Sequence, residues 1–216
     1  MEKINSLDEQ VFWWINSHYC DWLDWTMWGF SQKWSWAIVI LLVFIFVTLR
    51  KDRKSWMWFL IGIILCFLLA DQISNNAIKD GVQRLRPCHA LENVRMFHTG
   101  KGGLYGFVSS HAANGFAVAM FISLMYGGRT KTKTKTKTET ENGKRFWNSV
   151  GSGYRTPWIA PLMMLWATIM SYSRPYLGKH YPGDIICGAL LGLGVGALVY
   201  FVISKIRLFI ASKSSQ

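Results

Sequence analysis

Five apolar runs, at residues 34–49, 56–73, 112–126, 158–170 and 185–203, constrain this chain more than any other feature. A helix rising about 1.5 Å per residue needs roughly 20 residues to cross about 30 Å of hydrocarbon, and each run reaches or approaches that length. Two are short enough to need flanking residues. Inside a bilayer every backbone N–H and C=O must be paired within the protein, which leaves helices as the economical spanning element for runs like these. The expected fold is therefore all-α, an integral membrane helical bundle with about five transmembrane helices. The 51% hydrophobic and 15% aromatic content exceeds what an ordinary soluble core of 216 residues requires.

Some thirty residues precede the first run, and they carry Glu2, Asp8, Glu9, Asp21 and Asp24 rather than the basic start of a cleavable signal peptide. Leu7, Val11, Trp14, Ile15 and His18 recur at helical spacing. Trp13, Trp14, Trp22, Trp25 and Trp28 suit a helix in the headgroup layer, where indole offers an apolar body and a polar N–H. A buried first element of a bundle would give the same pattern. The chain divides accordingly into an N-terminal amphipathic, interfacial segment at 1–33, a transmembrane domain at 34–208 with a low-complexity loop at 129–155, and a tail at 209–216.

The net charge of +12 marks topology rather than nucleic-acid binding. Arg50, Lys51, Arg53 and Lys54 fill the first connection, Arg129 to Arg155 hold eight basic residues of the third besides one acidic pair, and Lys205, Arg207 and Lys213 follow the last run. In a five-span arrangement these three regions share a side, which the positive-inside rule makes cytoplasmic. Thr130 to Thr140 (TKTKTKTKTET) is apolar-free and reads as a solvated linker, with a lipid-headgroup contact as the alternative. Its basic residues have no interleaved aromatics, so nucleic acid is not an expected partner. Cys66 and Cys187 fall in apolar runs as packing residues, whereas Cys20 and Cys88 fall outside, where a disulfide is chemically permitted but not implied. No metal-ligand spacing joins the four.

The polar connections on the opposite side carry the chemistry. Lys79 and Arg86 are seven residues apart, two turns on one helical face, and Pro87 would end that helix. Snorkelling at a span end is the plain explanation, but Asn75, Asn76 and Asp80 make the surroundings more polar than snorkelling needs. His180 and Asp184 are four apart at a helix start containing Pro182 and Gly183. A carboxylate there can hold one imidazole nitrogen and leave the other unprotonated and aimed. Arg174, expected on the same short loop, adds a cation without a structural need. Ser109, Ser110 and His111 open the third run, where hydroxyls and free N–H groups can receive phosphate oxygens. Fixed cations, histidines and a carboxylate beside membrane spans point to a functional site.

Taken in order, Lys79 with Arg86-Pro87, Ser109-Ser110-His111, and Ser173-Arg174 with His180 and Asp184 resemble the three signature motifs of the type 2 phosphatidic acid phosphatase superfamily. The resemblance runs from the second span to the fifth. It departs in the second motif, where the usual Pro-Ser-Gly-His reads Val108-Ser109-Ser110-His111. The resemblance implies catalysis by His180 as nucleophile, His111 as general acid and base, and Asp184 orienting His180. It implies phosphate binding by Lys79, Arg86, Ser109, Ser110 and Arg174, with neither metal nor other cofactor. The implied substrate is a lipid phosphate at the outer face of a bacterial cytoplasmic membrane. Undecaprenyl diphosphate comes first, then lipid A, with phosphatidylglycerol phosphate and phosphatidate open. Competing readings are a non-enzymatic lipid-phosphate binder or mover on the same fold, and a metal hydrolase using His111, His180 and Asp184. Gly188, Gly192 and Gly196 form a small-residue stripe suited to packing inside the bundle or to dimerisation.

Overall fold

The computed structural model describes residues 2–49, 53–127 and 156–213. The Thr-Lys repeat and the basic residues at 50, 51 and 129–155 lie outside them. Every regular element among the described residues is helical, with one isolated antiparallel bridge between Leu85 and Tyr105. In order these are α1 (Glu2–Ser17), α2 (Asp21–Ser31), α3 (Lys33–Leu49), α4 (Arg53–Gln72), the four-residue α5 (Pro87–Ala90), α6 (Ser110–Tyr126), α7 (Ile159–Tyr176) and α8 (Pro182–Lys213). A π-helical stretch (Ile73–Lys79) and a last turn (Asp80–Val82) continue α4.

Two helical stretches, Trp56–Val82 and Pro182–Ile210, are long and apolar enough to cross a membrane. The pair Asp21–Ser31 and Lys33–Phe46, bent by 68°, would make a third if taken as one span. Large apolar side chains such as Ile38, Leu42, Ile64, Leu162, Leu190 and Phe209 stand exposed on the outer faces of α3, α4, α7 and α8. Helices that are apolar outside as well as inside belong in lipid, where that surface costs nothing to leave uncovered by protein.

Helix α6 is the axis of the bundle, wrapped by α4, α7 and α8. Ala113, Ala117, Val118, Phe121 and Ile122 are wholly buried within it. The glycine stripe of α8 lies directly on this helix. A methyl on Gly188 would sit 2.6 Å from the Ser109 carbonyl oxygen, and methyls on Gly192 and Gly196 would overlap the carbonyls of Ala113 and Ala117. The stripe is therefore an internal helix contact, with backbone against backbone.

The N-terminal segment forms two helices rather than one, and His18, expected in register, lies just past α1. Phe12, Ile15 and Asn16 are buried while Leu7, Val11 and Trp14 remain exposed. Asn16 ties the segment down: its Nδ2 donates to the carbonyls of Arg95 (3.0 Å) and Tyr176 (2.9 Å), and its Oδ1 accepts from the Arg95 amide (3.0 Å). Asp24 accepts from the Tyr176 hydroxyl at 2.6 Å and pairs with both terminal nitrogens of Arg95. These bonds fix the loop between α5 and α6 against α1, α2 and α7. All four cysteines are free, with Cys20 exposed and Cys88 buried.

The C-terminal ends of α4 and α7 and the N-terminal ends of α6 and α8 meet at one end of the bundle. The connection at 128–155 joins the other ends of α6 and α7. All the motif residues share the first end.

Candidate active site

The π-helical stretch carries the first cation. Such stretches are uncommon and concentrate at functional sites, because the extra residue turns the following side chains to a new direction. Lys79 Nζ donates to Asn75 Oδ1 and to Ser110 Oγ, both at 2.6 Å, and Ser110 Oγ donates onward to Asn75 Oδ1 at 2.8 Å. Ser74 joins from one turn earlier, donating to Ser110 Oγ at 3.1 Å. The serine that replaces the usual glycine of the second motif thus locks the first motif to the start of α6.

Lys79 and Arg86 do not share a helical face. The helix stops at Val82, where Gln83 takes a left-handed conformation (φ 52°), and Arg86 lies in extended chain capping α5. Pro87 begins that short helix instead of ending the long one. Its missing N–H suits a first helical position, and its ring keeps the residue before it extended. The Arg86 amide donates to Leu104 O (3.1 Å), the Gly106 amide to Arg84 O (2.8 Å), and Arg86 Nε to Tyr105 O (3.0 Å). Loop 103–106 therefore holds the Arg86 stem, and its two terminal nitrogens lie beside Gly102 and Gly103.

Arg174 also departs from expectation, standing on the last turn of α7 rather than in a loop. The Leu177 and Gly178 amides close that helix on the carbonyls of Ser173 (3.0 Å) and Pro175 (3.1 Å). Gly178 has φ +75°, where a methyl would meet the Arg95 carbonyl at 2.8 Å, so glycine alone makes this stop without strain. The chain then reverses and delivers Lys179 and His180 back to the site. Arg174 is buried and donates to Ser31 Oγ at the end of α2.

His180 Nδ1 faces Asp184 Oδ2 at 3.4 Å, long for a hydrogen bond. Asp184 is fully buried and held from three sides: Arg84 Nη1 donates to Oδ1 (2.9 Å), the Tyr181 amide to Oδ2 (3.0 Å), and its own carbonyl accepts from the Ser109 amide (3.0 Å). Arg84 bridges onward through Nη2 to Asp8 Oδ2 of α1 at 2.7 Å and stacks over the Tyr181 ring at 4.1 Å. Asp8 Oδ1 in turn accepts the Gly183 amide at 2.7 Å, capping the start of α8. Neither Arg84 nor Asp8 belongs to a recognised motif. The available signal for Arg84 was the extended stretch before Pro87, in which residues two apart share a side.

Burial holds the His180 imidazole well below its ordinary pKa, and the charges of Arg174, Arg86 and Lys79 push the same way. The nucleophile candidate is thereby kept neutral. His111, at the start of α6, feels the same three cations together with His180. His180, His111 and Asp184 are thus gathered with Lys79, Arg86, Arg174, Ser109 and Ser110. Ser109 Oγ, Arg174 Nε and His180 Nδ1 are buried without a hydrogen-bond partner among the described residues. Native interiors rarely leave such atoms orphaned; Nδ1 of His180 is the one turned to Asp184, while Ser109 Oγ and Arg174 Nε beside fixed cations have the chemistry of an anion site. The described residues contain no group of three His, Cys, Asp or Glu side chains that could hold a metal ion. A separate cleft of about 210 Å³, lined by Phe67, Leu68, Asp71, Gln72 and Asn114, opens beside α4 and α6.

The profile described as PAP2 superfamily matches residues 57–208. The chain is 28% identical to a lipid A 4'-phosphatase of Bacteroides thetaiotaomicron over 95% of its own length and 81% of the relative. It is also 28% identical to a lipid A 4'-phosphatase of Porphyromonas gingivalis, over 94% of this chain and 75% of that protein. The fold resembles the crystal structure of a transmembrane PAP2-type phosphatidylglycerolphosphate phosphatase of Bacillus subtilis, with a TM-score of 0.64 at 18% identity over 95% of this chain and 89% of the other.

Proposed function

Because the chain belongs to the PAP2 superfamily, we propose that it is an integral membrane phosphatase that removes a phosphate from lipid A or a similar lipid phosphate by way of a phosphohistidine. One observation carries the reading: a buried, neutral His180 backed by Asp184 stands among Lys79, Arg86 and Arg174. A binder would need the cations but has no use for an oriented imidazole.

The steps follow from the geometry. Nδ1 of His180 faces Asp184, so the Nε2 lone pair attacks phosphorus while the bond to the lipid oxygen breaks. His111, which the negative charge of the bound phosphate keeps protonated against the neighbouring cations, gives its proton to that oxygen, then takes one from water, whose oxygen attacks the phosphohistidine and releases inorganic phosphate. Asp184 stabilises the charge on His180 and fixes its tautomer. Lys79, Arg86, Arg174, Ser109 and the Ser110 amide neutralise the phosphoryl oxygens as charge builds, usually the largest contribution in this class of reaction. Three fixed cations fill the place that a divalent ion takes in other phosphotransferases, so the reaction is metal-independent.

The relatives alter the order of substrates expected from the residues alone. Both relatives aligned over most of their length are named for lipid A, which now precedes undecaprenyl diphosphate. Five long helices, α3, α4, α6, α7 and α8, support a five-span bundle with α1 and α2 at its outer rim. The helix ends that flank the basic connections, the ends of α3, α6 and α8 and the starts of α4 and α7, lie opposite the site, which supports a periplasmic active site in a bacterial inner membrane. The test is phosphate release from detergent-solubilised lipid A, undecaprenyl diphosphate, phosphatidylglycerol phosphate and phosphatidate. The expected result is fastest release from lipid A by the wild type and none by H180A. Equal release by the two proteins would remove His180 from the mechanism.

A further inference from the structure

Lys179 is a cation that the mechanism above leaves unused. It follows the left-handed Gly178, its amide bonded to Arg174 O at 2.9 Å, and only 5% of the residue is exposed. Its ammonium makes no hydrogen bond among the described residues, and it is not among the sealed-off atoms: the buried part is the stem. Its strongest charge neighbours include two further cations, Arg174 and Arg86, which with burial bring its pKa down to about 8. Lys179 therefore sits where like charges repel it.

The reacting pair has cations of its own. Arg174, Arg86 and Lys79 are the cations that bear on both His180 and His111. Lys179 instead points to a place beside Gly102. A methyl built on that glycine would lie 3.0 Å from Arg86 Nη1 and 3.7 Å from Lys179 Nζ. Gly102 has φ +73°, so both its conformation and the room beside it depend on the absent side chain. Two nitrogen donors thus converge on one cradle, displaced from the histidines towards the loop at 91–107.

We propose that Lys179, Arg86 and Gly102 form a second anion subsite, which takes a further anionic group carried next to the scissile phosphate. Arg86 is shared between the two positions, and Lys179 belongs to the second alone. The subsite rests on the reading of the first position as a phosphate site. It favours lipid headgroups in which the cleaved phosphate has an anionic neighbour, either the second phosphate of a diphosphate or a carboxylate on the same headgroup.

The test is equilibrium binding to the detergent-solubilised full chain of three probes: inorganic phosphate, methylenediphosphonate and phosphonoacetate. The wild type is expected to prefer one or both two-anion probes over phosphate by about tenfold, the scale of one charge-assisted hydrogen bond. A preference for methylenediphosphonate alone assigns the subsite to a second phosphate, and a preference for phosphonoacetate as well admits a carboxylate. K179M should bring the ratio to about one and K179R should keep most of it. G102A, which fills the cradle from the loop side, should lower the ratio without touching the lysine. A ratio unchanged in both K179M and G102A, or no preference in the wild type, overturns the subsite. Binding needs no turnover, so a wild type that shows the preference yet releases no phosphate from any lipid would sink the hydrolase reading and leave the subsite standing.

Discussion

The interface of α6 with α8 and the polar end of the same two helices are built by opposite rules. Along the interface, glycines on α8 bring backbone against backbone and little is left for another group to fill. At the polar end, only a turn away, Ser109 Oγ, Arg174 Nε and His180 Nδ1 are buried without partners, and like charges are crowded together. The first region holds the second in place. Asp184 and Gly188 share one turn of α8, and the Ser109 amide is bonded to the Asp184 carbonyl, so close contact along the stripe sets the position of the carboxylate. An unsatisfied site of this kind persists because the packing next to it cannot shift to relieve it.

Substitutions at the two regions should therefore separate activity from stability. H180A should abolish phosphate release, by about a thousandfold or more, while thermal unfolding in detergent stays close to wild type. A large drop in unfolding temperature instead would mean that the site supports the fold and would erase the contrast. D184N comes next, with a fall in kcat of about a hundredfold or more, because the amide can favour the wrong histidine tautomer. G192A tests the other region. Its methyl meets the carbonyl and amide backbone of α6, which cannot swing aside, so a destabilisation of about 1–3 kcal/mol is expected by thermal or denaturant unfolding.

Two smaller effects sharpen the comparison. The imidazole of His180 is held below its ordinary value, so the neutral form persists as pH falls and is lost only on passing through the lowered value. The acid limb of kcat/KM should accordingly lie below about pH 6.5, the ordinary histidine value, and a limb above it would contradict burial as the controlling influence. D8N removes the charge that Arg84 shares between Asp8 and Asp184. For this partly exposed pair the expected loss is about fivefold in kcat with KM little changed, and rescue by D8E would identify the charge as the cause.

Much of this site was legible in the sequence because motif residues keep their order and spacing wherever the helices place them. Lys79, Arg86, Ser109, Ser110, His111, Arg174, His180 and Asp184 do come together at one end of the bundle. What the spacing could not convey was how they arrive. Seven residues between Lys79 and Arg86 suggested two helical turns, yet Gln83 turns left-handed and breaks the helix between them. Arg174 belonged to a helix that runs beyond its apolar run, because Pro175 is tolerated inside the last turn of α7. The bridge between Arg84 and Asp8 was hidden for another reason. Their pairing is a tertiary contact between distant elements, and no local pattern of charge announces it. The glycine stripe, a periodic local feature, was readable as a close-packing face, but not the helix it meets.

The bond from Asp8 to the Gly183 amide spans 175 positions of sequence. During synthesis the first helix is made long before the last, and the carboxylate of Asp8 has no helix start to cap until that of α8 has emerged. The Arg84 bridge from Asp8 to Asp184 waits on the same event. A chain still being made therefore carries Lys79, Arg86 and His111 before Arg174, His180 and Asp184 exist, and the candidate site closes only when the first helix and the last meet.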